Sequence, residues 1–193
     1  PFVMCDPETF DDEVFLYEKE EDIKREGQRF LDQKIPLQIA KIDNKQFLHF
    51  YSNLFTMGVN CLVFNGYMED EYKLQLADLV NRPGQNLKEG QIWVENPGLH
   101  LTALYFMQEV RRQKFEKLPK ELQELQEEIL ADYGKGTYLA PFNEENGVPL
   151  LKQQNGDSYQ PIFTDMLEFN KFNRENFFKA SVMTADKITG ALA

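Results

Sequence analysis

The sequence predicts a mixed α/β fold, of the α+β type, in which mixed β-sheets and helices form two related sheet-and-helix modules. The first third of the chain combines short apolar stretches of strand type with amphipathic helices. The middle carries two long amphipathic helices, and the last third returns to short strands separated by Asn-Gly turns. We therefore divide the chain into a first module at 1–99, a helical linker pair at 100–135 and a second module at 136–193.

The helices and strands of the first module follow from the spacing of apolar residues. Branched and aromatic runs or period-two alternation predict strands, and apolar residues three or four positions apart predict helices. Asn44 has the residue type of an N-cap, and Gly58 has the type that follows the last turn of a helix. In chain order, the predicted elements are a strand at 13–17, a helix at 20–31, a strand at 35–40, a helix at 44–58, a strand at 59–64, a helix at 72–80 and a strand at 91–95.

The remaining elements suggest that the first module is partly repeated. Helices are predicted at 100–115 and 118–133, strands at 137–141, 148–151, 159–163 and 177–183, turns at 146–147 and 155–156, and a helix whose first turn carries Asp165. Residues 160–163 take the place that 13–16 have in the first module, so the order of elements repeats. The later elements of the first module have no counterpart in the second. On this interpretation the second module is incomplete, and we expect the natural protein to continue past Ala193.

Composition narrows the choice of partners and of compartment. The chain has 32 Asp and Glu against 21 Lys and Arg, and its formal net charge is -11. Such a surface repels phosphate backbones and anionic lipid, so we expect neither a nucleic acid nor a membrane as partner. The two cysteines, Cys5 and Cys61, are too few for a disulfide framework and favour a reducing, cytoplasmic location.

Three stretches of the second module carry a resemblance to a known family. They are Gly-Thr-Tyr-Leu-Ala-Pro-Phe at 136–142, Pro-Ile-Phe-Thr-Asp at 161–165 and Leu-Glu-Phe at 167–169. This pattern resembles the SseB family, which is named for enhanced serine sensitivity in enteric bacteria, and residues 58–65 and 96–98 are similar to later elements of the same domain. The chain is thus identified as two degenerate copies of the N-terminal-type SseB domain. The resemblance implies a bacterial α/β sandwich module without an established catalytic mechanism. The first copy departs from the motif, because Phe15-Leu16-Tyr17 replaces Phe-Thr-Asp.

Each candidate for catalytic chemistry has a simpler structural interpretation. Cys61 and His49 lie on neighbouring predicted elements, but Cys61 is part of an apolar run in which a thiol behaves as a small hydrophobe. The carboxylates of the 6–13 stretch lack the residue order of a calcium loop, so a solvated acidic loop is favoured. The sequence contains no nucleotide-, hydrolase- or zinc-type motif. We therefore expect no catalytic residue, no cofactor and no metal site.

Four residues are candidates for an interaction site. Trp93, near the end of a predicted strand, is the best candidate for an exposed anchor. Asn96 follows in an Asn-Pro-Gly turn, and His100 opens the next predicted helix. Asp165 is placed to cap a helix, with Glu168 in position to return a capping-box contact.

These observations predict a non-enzymatic cytoplasmic protein that binds another protein or helps regulate metabolism or secretion. The partner is unidentified, and a homo-oligomer is one alternative for it. The alternative function is a small-molecule sensor or an enzyme with a cleft between the modules, using His100 or Asp165. A flat apolar surface around Trp93 would favour the binding module, whereas a deep pocket at His100 would favour the sensor or enzyme.

Overall fold

The structure confirms the mixed α/β class. The computed structural model describes residues 1–145 and 147–191, with 39% helix and 18% strand. The chain forms two compact units. Unit 1 consists of Pro1–Asn86 and Pro97–Ile129, and unit 2 consists of Leu87–Asn96 and Leu130–Ala193. The helical linker pair predicted at 100–135 is therefore shared between the units, because unit 1 takes its first helix and most of the second.

Unit 1 is built on a four-stranded mixed sheet with the order β1-β2-β3-β4. Its elements are β1 (Met4–Cys5), β2 (Asp12–Leu16), α1 (Glu20–Asp32), a 3-10 turn (Asn44–Gln46), α2 (Phe47–Thr56), β3 (Cys61–Phe64), β4 (Tyr72–Gln75), α3 (Leu76–Leu79) and α4 (Pro97–Arg112). The central strands β2 and β3 are parallel, and the outer strands pair antiparallel to them. A parallel pair needs a crossover connection, which α1 and α2 supply.

The core of unit 1 lies between the sheet and its helices. Val14 of β2 pairs in register with Leu62 of β3, and both side chains are buried. They pack in one cluster with Leu54 of α2, against which Leu101 and Leu104 of α4 also pack. Burial of this kind contributes about 1.5–3 kcal/mol for each large aliphatic side chain, and it holds α2 and α4 on the sheet.

Three predictions for unit 1 need correction. The strand predicted at 35–40 is wrong, because this segment runs without strand pairing between α1 and the 3-10 turn. Its alternation reflects the partial burial of Ile35 and Leu37, and burial on one side does not require a hydrogen-bonded neighbour. The helix predicted at 72–80 is β4 followed by the single turn α3. The N-cap of the 3-10 turn that precedes α2 is Asp43 rather than Asn44, and Asp43 forms a capping box with Gln46.

Unit 2 is centred on an antiparallel pair of long strands. Its elements are β5 (Thr137–Phe142), β6 (Leu151–Lys152), β7 (Ser158–Tyr159), α6 (Met166–Phe172), β8 (Lys179–Thr184) and α7 (Ala185–Ala191), while α5 (Lys120–Lys135) begins in unit 1 and ends in unit 2. Strands β5 and β8 pair along their whole length, and β6 and β7 form a separate two-residue ladder. Val94, Leu139 and Phe169 form the core cluster.

The strand predictions for unit 2 are right for its long strands and only partly right elsewhere. The predicted strands at 137–141 and 177–183 match β5 and β8. Of the stretch 159–163, only Tyr159 belongs to a strand, and Phe163 forms an isolated bridge with Leu139. The strand predicted at 91–95 is wrong, because the segment is not part of a sheet. The turn at 155–156 is present, whereas Asn146 of the other predicted turn lies outside the described residues.

The two units have different sheet arrangements. In unit 1 the parallel pair of β2 and β3 lies at the centre of four strands, whereas β5 and β8 of unit 2 are antiparallel. The sheets thus add no support for an internal repeat. The repeat and the incomplete second module stay predictions from the order of elements.

Gly58 allows the close approach of α2 and α4, and replacing it tests that approach. Its φ is +85°, and a Cβ added there would lie 2.7 Å from the Pro97 carbonyl oxygen and 2.8 Å from Leu101 Cβ. We expect Gly58→Ala to lower the free energy of unfolding by about 2–4 kcal/mol in urea denaturation, from backbone strain and the clash together. Gly90→Ala is the matched control, since its φ is +83° and no atom lies within 4 Å. We expect a loss of about 1–2 kcal/mol there, and equal losses in the two variants would contradict the steric argument.

Candidate functional site

Residues Leu87–Asn96 of unit 2 contain the only tryptophan of the chain. The segment has no strand pairing, yet its C-terminal end is firmly held. Val94 is buried in the core cluster with Leu139 and Phe169. Asn96 supplies the second attachment, so the two sequence-predicted residues Trp93 and Asn96 lie on one anchored segment.

Asn96 is a structural clamp. Its Nδ2 donates to the carbonyl oxygens of Thr137, at 2.8 Å, and Thr164, at 2.7 Å. Its Oδ1 accepts from the Thr137 backbone N–H at 3.2 Å. A primary amide has two donors and one carbonyl oxygen with two lone pairs, so three of its four bonds are made within unit 2. Asn96 therefore joins the Trp93 segment to β5 and to the corner before α6.

Trp93 and its neighbour Ile92 form an exposed apolar pair. Ile92 is 68% exposed and Trp93 is 36% exposed. The indole Nε1 of Trp93 donates to Glu95 Oε2 at 3.0 Å, which satisfies the one polar atom of that side chain. The predicted exposure of Trp93 is thus present, and its role as an anchor stays a prediction. We call Ile92 and Trp93 the apolar pair.

Asp165 performs the capping role that the sequence predicts. It is 1% exposed, and its Oδ1 accepts from the Glu168 backbone N–H at 2.9 Å, at the N-terminus of α6. Thr164 Oγ1 donates to its other carboxylate oxygen at 2.8 Å. The Glu168 carboxylate forms an ion pair with Lys171. Asp165 is therefore the N-cap that stabilises the first turn of α6.

His100 lies in the first turn of α4, in unit 1, and is half-buried. The helix begins three residues earlier than predicted, at Pro97, because proline suits the first turn, where a backbone N–H has no partner within the helix. The Asn-Pro-Gly stretch is thus a helix start rather than a turn between elements. His100 and Asp165 belong to different units, so the residues predicted for the sensor or enzyme are not part of one compact unit.

The acidic stretch near the N-terminus is organised by Lys73 of β4. Lys73 Nζ pairs with the Asp6 carboxylate and with Glu13 Oε1, the latter at 2.7 Å, and Glu13 is buried. The hydrogen bond from Lys73, followed by those from the backbone N–H groups of Glu8 and Thr9, lowers the pKa of Asp6 to about 2. The same two carboxylates raise the pKa of Lys73.

Two further carboxylates of this stretch also have side-chain partners. Asp11 accepts from Asn60 Nδ2 at 2.7 Å and from Gln75 Nε2 at 3.0 Å. Asp12 accepts from the Tyr105 hydroxyl at 2.6 Å. The stretch is therefore a hydrogen-bonded network across unit 1, and the expected solvated acidic loop is wrong for these residues. The sequence could not reveal this, because the partners come from β4, α4 and the residue before β3.

Burial of Cys61 supports its interpretation as a small core residue. Cys61 is fully buried, and burial, with a smaller effect of the Glu13 carboxylate, raises the pKa of its thiol to about 11. Burial and the nearby Asp12 carboxylate also raise the pKa of the Cys5 thiol. Both groups are protonated at neutral pH, and a protonated thiol is a poor nucleophile.

Helix α1 carries a buried carboxylate that is absent from the candidate residues chosen from the sequence. Glu26 is only 5% exposed. Glu26 lies three residues after Ile23 and four before Phe30, so helical periodicity places it on their face. That spacing could have identified it. Nearby Tyr17 has its pKa raised to about 12, first by burial and then by the Glu26 carboxylate.

Neither metal-binding geometry nor similarity identifies a function. Within residues 1–145 and 147–191, no group of three or more His, Cys, Asp or Glu side chains is arranged to hold a metal ion. None of the helices in the described part of the chain has the length and apolar character needed to cross a bilayer. The chain matches no protein-family model, no curated protein and no solved structure. The resemblance to the SseB family stays a prediction from the residues quoted for it.

Removing the Lys73 ammonium should change how stability depends on pH. The lowered pKa of Asp6 stabilises the fold above pH 4, and this contribution is lost as the pH falls toward 2. We expect Lys73→Met to lower the free energy of unfolding by about 1–2 kcal/mol at pH 7, because buried Glu13 loses its cation. The deficit should shrink as the pH falls from 4 to 2, since the stabilisation from ionised Asp6 is lost from the wild type over this range. Urea denaturation at several pH values measures both effects.

The control for Lys73→Met is Lys24→Met. Lys24 pairs with Glu20 on α1, and both side chains are well exposed. We expect a change below about 0.5 kcal/mol at every pH. A Lys73→Met deficit that stays constant down to pH 2 would show that the ion pairs are not its source.

Removing the Asn96 amide should destabilise unit 2. Asn96→Ala leaves the Thr137 N–H and two carbonyl oxygens without their side-chain partner, and we expect a loss of about 2–3 kcal/mol. Fluorescence of Trp93 during urea denaturation reports this loss directly, since Trp93 is the only tryptophan. Asn155→Ala, which removes an exposed turn amide, should cost less than about 1 kcal/mol. Similar losses in both variants would argue against the clamp.

Proposed function

We propose that this chain is a non-enzymatic protein-interaction module that contacts its partner through the apolar pair, Ile92 and Trp93. Its cytoplasmic location and bacterial, SseB-like character belong to the same proposal. The apolar pair is the observation that carries it. Large aromatic side chains contribute most of the binding energy in many interfaces, and tryptophan is among the most frequent of them.

The way in which the apolar pair is held supports this role. Val94 and Asn96 fix the segment to the core of unit 2, so the backbone next to the pair is already ordered before binding. An ordered contact residue loses less conformational entropy on binding than one in a flexible loop. The exposed side of the segment is therefore suited to fill an apolar pocket on a partner.

The supporting evidence for location is chemical. Cys5 and Cys61 are both free thiols, as expected of a protein from a reducing compartment. The formal charge of -11 favours a partner whose contact surface is neutral or basic.

The alternative of a sensor or enzyme using His100 or Asp165 has less support, because Asp165 already caps the start of α6.

Capture of partners from extract of the native organism tests the proposal. We expect the tagged full chain to retain a stoichiometric protein at both low and high salt, because apolar contacts are little weakened by screening. Trp93→Ala should weaken that retention about 30-fold, which corresponds to a hot-spot loss of about 2 kcal/mol. Sedimentation of the purified chain over a range of concentrations identifies a second copy of the chain as the partner, if there is one.

Leu48→Ser is the matched control for this experiment. Leu48 is an exposed apolar residue of α2 in unit 1, 69% exposed, and lies outside the segment proposed to bind. Leu48→Ser should retain the partner as the wild-type chain does. Circular dichroism checks that Leu48→Ser and Trp93→Ala are both folded. Retention that Trp93→Ala leaves unchanged, together with no self-association that depends on Trp93, would overturn the proposed role of the apolar pair.

A further inference from the structure

Unit 1 contains an apolar cavity between β2, α1 and the segment at 35–42. Its volume is about 180 Å³. The apolar part of its wall includes Leu16, Ile23, Phe30, Leu37, Ile42 and Phe50. The cavity exists because residues 35–42 cover this side of unit 1 without joining the sheet.

Gly27 of α1 also lines the cavity. A Cβ at this position would lie 3.6 Å from Ile39 Cδ1, which is an ordinary van der Waals distance. Glycine in the middle of a helix is less stable than alanine by about 0.5–1 kcal/mol. The fold has room for a side chain at position 27. Because glycine has none, part of the cavity stays open that a larger residue would fill.

The size and the walls of the cavity limit what can bind. A buried cavity of about 150 Å³ lined by Leu, Ile and Phe stays dry and can bind benzene. A cavity of about 180 Å³ with similar walls suits one aromatic ring or a small fused bicycle. A charged group would lose its hydration against these walls, which disfavours ions.

Glu26 supplies the carboxylate of the wall, and its chemistry specifies the polar group of the ligand. Its Oε1 accepts from Arg25 Nε at 3.2 Å, and its Oε2 accepts from Arg29 Nη1 at 2.7 Å. Arg25 also pairs with Asp22, so two guanidinium groups and two carboxylates balance in charge. Each oxygen of a carboxylate can accept a second hydrogen bond. Glu26 can therefore accept from a neutral donor, whereas a cation would meet a carboxylate that is already neutralised.

We propose that unit 1 binds a small uncharged aromatic molecule with one hydrogen-bond donor, such as an indole or a phenol. The ring fills the apolar cavity, and the N–H or O–H donates to Glu26. This site is independent of the apolar pair at Ile92 and Trp93, which belongs to unit 2. Failure of either proposal therefore leaves the other standing.

Calorimetric titration of the full chain with indole and with benzofuran tests the ligand class. The two molecules have nearly the same shape, but only indole has an N–H donor. We expect indole to bind about tenfold more tightly than benzofuran, since a hydrogen bond to a charged acceptor is worth at least that factor. Equal affinities would overturn the role of Glu26, and no heat from indole at millimolar concentration would overturn the site.

Two variants at Gly27 test the location. Gly27→Ala should weaken indole binding several-fold, and Gly27→Met should abolish it, because the longer side chain occupies the cavity. Both should raise the unfolding temperature of the protein without ligand, which shows that the loss of binding is not a loss of folding. Gly134→Met is the control, because Gly134 is also helical but has no atom within 4 Å of an added Cβ. It should bind indole as the wild type does, and indole binding that Gly27→Met leaves unchanged would place the site elsewhere.

Discussion

Parallel pairing of β2 with β3 is the constraint on which unit 1 depends. It joins Val14 to Leu62 in the buried centre of the sheet, and it requires a connection that α1 and α2 supply. The two ends of β2 then face different chemistry. Near its start, Glu13 pairs with Lys73 of β4 in the acidic network, and at its end Leu16 and the following Tyr17 line the apolar cavity. Both features therefore depend on this one strand pair.

In unit 2, the segment before α4 is attached by the side chain of Asn96, whereas unit 1 is held together by its central strand pair. Its antiparallel strands β5 and β8 provide a small ladder, but the segment before α4 joins no sheet. Asn96 compensates with three hydrogen bonds to β5 and to the corner before α6. Such an attachment fixes the backbone at one point and leaves residues a few positions away exposed. The apolar pair exists because the segment is held by a side chain and not by a strand partner.

Elements with local signals were predictable from the sequence. Helices α1, α2, α4 and α5 each carry an apolar stripe, and Asp165 lies at the helix start that its residue type favours. The sequence pattern predicts strands at 35–40 and 91–95, but neither segment pairs with another strand. Alternation reports which side chains are buried, whereas a strand also needs a neighbour with free backbone groups. That neighbour is decided by the whole fold.

The sequence by itself determined the mixed α/β class, the main helices and the cap at Asp165, because each depends on residue type and local spacing. Only the tertiary structure decided the partners of distant residues. It brought Lys73 to Asp6 and Glu13, and it placed Asn96 against the Thr137 and Thr164 backbones. It also brought residues 37–42 together with Glu26 and Gly27 around one apolar cavity. The physical reason is that hydrogen bonds and cavities are properties of positions in space, and sequence periodicity specifies only which face of an element is buried.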